Sequence, residues 1–153
     1  MTNVATGDWL TTERMRRIAW LMLAATIFSV LVLFATAKGT LDPLGRPVGT
    51  DFSGVYAAGR MVLDGHAPQA WDWTAHRLVQ EQLHGRESVP FFGWHYPPPF
   101  LLIATALATL PYFAALFIWQ AITLLLCLAV VRRIAPHPQT WLFALAAPVV
   151  LIC

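Results

Sequence analysis

The sequence predicts an all-α membrane protein: two long charge-free apolar runs, a charge content half that of a soluble domain, and arginines gathered at one end of each run. Of 153 residues, 58% are hydrophobic and 12% charged, whereas a soluble domain carries about 25% charged residues. The mean hydropathy is +0.59. An ordinary cytosolic enzyme is excluded. Ten basic against eight acidic residues leave too small an excess for a nucleic-acid footprint, so no nucleic-acid partner is expected. The two cysteines, Cys127 within an apolar run and Cys153 at the last position, make no disulfide framework.

The first run, 18–37, matches in length the roughly 30 Å hydrocarbon core at about 1.5 Å per residue. Ala35-Thr36-Ala37 fits a signal-peptidase pattern, but the run exceeds a usual h-region of about 7–15 residues, so a retained anchor is expected. A second span is expected over 112–131. A third apolar run covers 140–153 and is expected to be the start of a truncated third span. Arg14, Arg16 and Arg17 precede the first span and Arg132 and Arg133 follow the second, while the intervening loop dilutes five basic residues with six acidic ones. Positive-inside counting puts 1–17 and the turn 132–139 in the cytoplasm and the loop 38–98 outside, in a multi-pass protein of the inner (plasma) membrane. The run 99–110 is too short to cross and is expected to be interfacial or re-entrant.

Within the loop, TDFSGVYAAGRMVLDG reads as a helix that Asp51 or Ser53 can cap and Gly65 can end. Its spacing suggests an inward face of Val55, Ala58, Gly59 and Val62 and a polar stripe of Ser53, Tyr56, Arg60 and Asp64 beside Asp51, so that an acid and a base share a side. A second helix is expected over 74–84 with Ala75, Leu78, Val79 and Leu83 on one face and His76, Gln80 and His84 on the wet side. His76 and His84 lie two turns apart and cannot share one metal, so no metal site is expected. Trp71, Trp73, Trp94 and Tyr96 suit either a headgroup-level belt or a wall against a sugar or isoprenoid. In FFGWHYPPPF the three prolines suggest a stiff polyproline turn that pins His95 and Tyr96, either as a re-entry turn alone or also against a ligand.

TDFSGVYAAGRMVLDGHAP, then a helix, then FFGWHYPPPFLLIATALATLP before a long span resembles glycosyltransferase family 87 over about Thr50 to Arg133. The chain is similar to its N-terminal portion only. That resemblance implies a GT-C-like multi-span fold with a helical extracytoplasmic loop. It also implies a mannosyltransferase that moves a sugar, mannose in the family, with inversion from a polyprenyl-phosphate donor to an extracytoplasmic glycan or lipid acceptor. No cofactor is implied, the lipid-linked sugar being the donor substrate, and the remaining partners are membrane lipids. The matching acidic residue is Asp51, and Tyr96-Pro97-Pro98 matches the proline-rich turn. Under this reading Asp51 is the general base, or else a mere helix cap, and Arg60 holds the phosphate or else pairs with Asp64. Tyr56, His95 and Tyr96 would contact substrate. A truncated or non-catalytic membrane subunit that binds a partner is the rival class of function.

Overall fold

The computed structural model describes residues 11–147. Its helices are α1 (Thr12–Thr36), α2 (Asp51–Leu63), a 3-10 turn (Ala67–Trp71), α3 (Trp73–His84), α4 (Phe100–Ala108), α5 (Tyr112–Ile134) and α6 (Thr140–Ala146). Among the described residues there is no strand, only two isolated bridges, Lys38 to Leu41 and Leu41 to Pro47. The expected third span over 140–153 falls partly outside the described residues; α6 is the part that can be described.

The described residues divide into two compact units, one of residues 11–32 and 122–147 and the other of 33–121. In the first, Ala19 and Leu23 of α1 bury against Leu142 and Ala146 of α6, and Trp20 meets Trp141 edge to face at 5.8 Å. Helices α1 and α5, of 25 and 23 residues, are long and apolar enough to cross a membrane. Their surfaces are not those of soluble core helices, because Leu21, Phe28, Leu31, Leu125 and Leu126 all lie exposed. Apolar surface on that scale belongs in lipid.

The second unit is built around α2, which is buried on nearly every side. Its core joins Val48, Phe52, Val55, Tyr56, Ala58 and Met61 to Trp94, Ala104, Leu107, Ala108, Ala115 and Leu116. Small residues allow this. A Cβ on Gly59 would lie 2.1 Å from the Ala104 carbonyl oxygen and 2.7 Å from the Ala108 Cβ, and one on Gly54 would lie 2.6 Å from the Phe92 carbonyl oxygen. Helix α4 therefore rests backbone against backbone on α2.

Four expectations are corrected here. Ser53 and Tyr56 are buried, so the stripe foreseen on α2 is not a wet one. Asp51 and Arg60 are nine residues apart, which on an α-helix is about half a turn around and about 13.5 Å along the axis; the acid and the base do not share a side. On α3 Ala75, Val79 and Leu83 pack against the core as expected, but the fully buried residues are His76, Gln80 and His84, and Leu78 is 53% exposed. The face that packs inward is thus rotated by about one residue, or 100°, from the apolar one, because the polar side chains are needed inside. Finally, the prolines do not form a polyproline segment before α4: Pro99 is helical at φ −60 and ψ −24. The carbonyls of Pro97, Pro98 and Pro99 accept from the amides of Phe100, Leu101 and Leu102, so the prolines form the entry turn of α4. A proline's fixed φ suits a helix start, where its missing N–H costs nothing.

Candidate functional site

The approach to α2 is an irregular loop made rigid by its own hydrogen bonds. Asp42 Oδ1 accepts from the amides of Leu44 and Arg46 at 2.9 and 2.8 Å, and its other oxygen takes Arg46 Nε at 3.1 Å. Burial pushes the Asp42 carboxyl up, but its hydrogen bonds and charge pairing with Arg46 outweigh this and hold it below the usual carboxylate range. The loop ends in Gly49 and Thr50 with φ of 91° and 36°. Gly adopts the first value freely, whereas for Thr50, a β-branched residue, the second is strained.

Helix α2 then starts without a side-chain cap: Thr50 occupies the N-cap position and makes no such bond. Neither of the two expected caps serves. Ser53 is committed elsewhere, and Asp51 is an exposed first-turn residue whose carboxylate has no hydrogen bond or ion pair among the described residues. A carboxylate in the first turn is favoured by the helix dipole by about 0.3–1 kcal/mol, and left unpaired it is available to a ligand.

Behind Asp51 lies a polar cluster that sequence periodicity missed. His84, from the last turn of α3, takes Thr40 Oγ1 on Nδ1 and Ser53 Oγ on Nε2, both at 2.7 Å, so that with a neutral ring one hydroxyl donates and the other accepts. Three segments are joined at one imidazole. One helical turn before Gln80, His76 Nε2–H donates to the Gly54 carbonyl at 3.1 Å, leaving Nδ1 buried and unpartnered. Burial pushes both imidazoles below the ordinary histidine value, and for His76 the Gly54 bond opposes the shift without cancelling it. Between the histidines, Gln80 Nε2 donates to the Phe92 carbonyl at 2.6 Å while its Oε1 accepts the Phe92 amide at 3.2 Å.

The remaining candidates are scattered. Tyr56 is buried and its hydroxyl donates to the Leu110 carbonyl at 2.7 Å. Arg60 lies 3.5 Å from Asp64, both partly exposed. His95 is exposed and its Nδ1–H donates to the Gly93 carbonyl at 2.9 Å. Tyr96 stacks on Phe100 at 4.6 Å between ring centroids and meets Trp94 at 5.1 Å. Of the four aromatics named as a belt or wall, Trp94 is in the core, and Trp71, Trp73 and Tyr96 are exposed. Asp72, which the sequence reading left without a role, caps α3 by accepting the Thr74 and Ala75 amides on Oδ1 at 2.8 and 3.1 Å. The structure thus brings Ser53, Thr40 and His84 together behind the start of α2, groups His95 with Trp73 on the surface, and keeps Arg60 apart from Asp51.

Comparison with known proteins gives one match: residues 94–153 fit glycosyltransferase family 87. The matched segment takes in His95, Tyr96, the proline turn, α4 and α5, and starts after Asp51, Tyr56 and Arg60. No curated protein and no solved structure gives a significant match. Over that segment the chain is similar to a glycosyltransferase family, and it carries two helices long and apolar enough to cross a membrane.

Proposed function

We propose that the protein acts as an inverting membrane glycosyltransferase that moves a sugar, mannose by the resemblance, from a polyprenyl-phosphate donor to a glycan or lipid acceptor outside the cytoplasm. The observation that carries this reading is the family match over 94–153, joined to an unpaired, exposed carboxylate at the start of the buried helix α2. In the reaction an acceptor hydroxyl attacks the anomeric carbon. A new C–O bond forms as the bond to the lipid phosphate breaks, the phosphate leaves with the electron pair, and the hydroxyl proton passes to Asp51. Because Arg60 is about 13.5 Å further along α2 and half a turn away, it does not flank the same anomeric centre. It is assigned instead to its pair with Asp64, and the leaving phosphate takes its cation from outside α2. His95 and Tyr96, exposed before the proline turn, are assigned to substrate contact, whereas Tyr56, buried and bonded to Leu110, supports the floor of the site.

Asp51→Asn tests the assignment. Asp51 caps nothing and pairs with nothing, so the substitution removes a base and a favourable first-turn charge while leaving packing intact. Sugar transfer from a polyprenyl-phosphate donor in membranes should fall by about 10²- to 10⁴-fold. Asp64→Asn breaks only an exposed pair contributing about 0–1 kcal/mol and should leave turnover nearly unchanged. An active Asp51→Asn protein, or equal losses in both variants, would refute the base assignment and favour a non-catalytic subunit.

A further inference from the structure

We propose that Trp73, Asp72 and His95 form a subsite for a neutral pyranose ring on the surface of the unit spanning residues 33–121. The inference rests on the transferase reading and shares His95 with it, while Trp73 and Asp72 are residues that reading does not use. Trp73 opens α3 and is 63% exposed. It is braced rather than covered: Phe91 lies 5.9 Å away at 53° and His95 6.1 Å away at 55°. A large indole held out of the core by two neighbouring rings offers the flat apolar surface against which the C–H face of a sugar ring packs.

Two polar residues accompany it, His95 through the ring contact and Asp72 as the preceding residue in the chain, and they decide what that surface suits. His95 donates Nδ1–H to the Gly93 carbonyl, so in the neutral ring Nε2 is left as a lone-pair acceptor. The fold-back is built into the chain, because a Cβ on Gly93 would lie 2.7 Å from His95 Cε1. Asp72 spends Oδ1 on two amides of α3, and its Oδ2 has no partner among the described residues. The patch therefore presents an aromatic face and two acceptors lacking donors. Hydroxyl groups supply donors. An acyl chain would leave the Asp72 carboxylate desolvated and unpaired, and a phosphate would be repelled by it. A polyhydroxylated, uncharged ring satisfies all three groups.

Saturation-transfer NMR on the full chain in lipid nanodiscs, with methyl α-mannopyranoside and methyl β-glucopyranoside as probes, tests the subsite. Saturation should reach the ring C–H protons of at least one probe and fall about two- to tenfold in Trp73→Ala, the range that a single aromatic contact contributes. Trp73→Phe should recover part of the signal. Asp72→Asn keeps the helix cap, since Asn caps as well as Asp, and should weaken the signal too; this separates sugar binding from unfolding of α3. No transfer to either probe, or equal transfer in the wild type and Trp73→Ala, would overturn the proposal. So would a loss of quenching by brominated acyl lipids in Trp73→Phe, which would give the indole to the membrane. Asp51→Asn should lose turnover and keep saturation. An active Asp51→Asn protein with intact saturation would sink the base assignment and leave the subsite standing.

Discussion

The contact between α2 and α4 permits a stringent test, because it turns on one hydrogen atom. Replacing Gly59 by Ala would put a Cβ 2.1 Å from the Ala104 carbonyl oxygen and 2.7 Å from the Ala108 Cβ, where a carbon and a carbonyl oxygen ordinarily stay about 3.3–3.6 Å apart. The helices must separate by about 1.2 Å to restore that contact. The obstacle is backbone, so no rotamer change relieves it. Separation loosens Ala58, Ala104, Leu107 and Ala108, all in the core. Overpacking costs about 1–3 kcal/mol, and a clash with backbone belongs at the top of that range; Ala in place of Gly in a helix returns about 1 kcal/mol. The net expectation is a loss of about 2 kcal/mol. Chemical unfolding in detergent, followed by tryptophan fluorescence, measures it. Adding Ala108→Gly removes the 2.7 Å contact but not the one with the Ala104 carbonyl, so the double variant should recover only part of the loss. A Gly59→Ala protein that is more stable than the wild type, by the propensity gain alone, would refute the close approach of the two helices.

Two further outcomes follow from the loop. Because burial depresses the folded-state pKa of His76 and His84, the unfolded chain binds protons first: stability should be full above about pH 6.5 and fall as the pH is lowered toward the depressed folded values. His76→Leu should flatten that slope by at most one proton, about 1.4 kcal/mol per pH unit, and a melting temperature independent of pH between about 7.5 and 5 would contradict the buried neutral histidines. In a background free of Cys127 and Cys153, a cysteine at Leu44, which is exposed, should react with an impermeant thiol reagent from outside, and one at Arg133 should not; reversed labelling would invert the topology read from the arginines.

Helices were legible in the sequence to within a few residues at their ends, because length and unbroken apolarity determine α1 and α5, and Gly65 and Gly85 stop α2 and α3. Legible too was an acidic residue at the start of α2, though not its surroundings. What periodicity could not supply was the side of a short helix that faces in. Helix α2 is buried on nearly every side, so an inward stripe of Val55, Ala58 and Gly59 describes only part of its contact, and the burial of Ser53 depends on a histidine 31 positions away. On α3, apolar content pointed Leu78 inward and the structure puts it outside.

The reason lies in the backbone of the neighbouring segments rather than in α3 itself. Residues 86–96 run past α3 without a strand to pair with, and a buried backbone amide or carbonyl left unmade costs about as much as the loss of a hydrogen bond. Gln80 meets that need for Phe92 by donating to its carbonyl and accepting its amide, the two bonds a neighbouring strand would have made. His76 adds a second donor to the Gly54 carbonyl, which already lies inside helix α2, and His84 ties Thr40 to Ser53. The three polar residues that looked like a solvated stripe thus bond α2, the loop before it and the segment after α3, at a spacing of four residues that keeps them on one face. A hydrophobic count ranks such a helix by what it could bury, whereas here the irregular chain around α2 decides what must be buried. Where long loops fold without strands, a stripe of Gln and His at helical spacing beside an apolar one is therefore a candidate for the inside. That rule turns α3 by about one residue and puts His76, Gln80 and His84 inside.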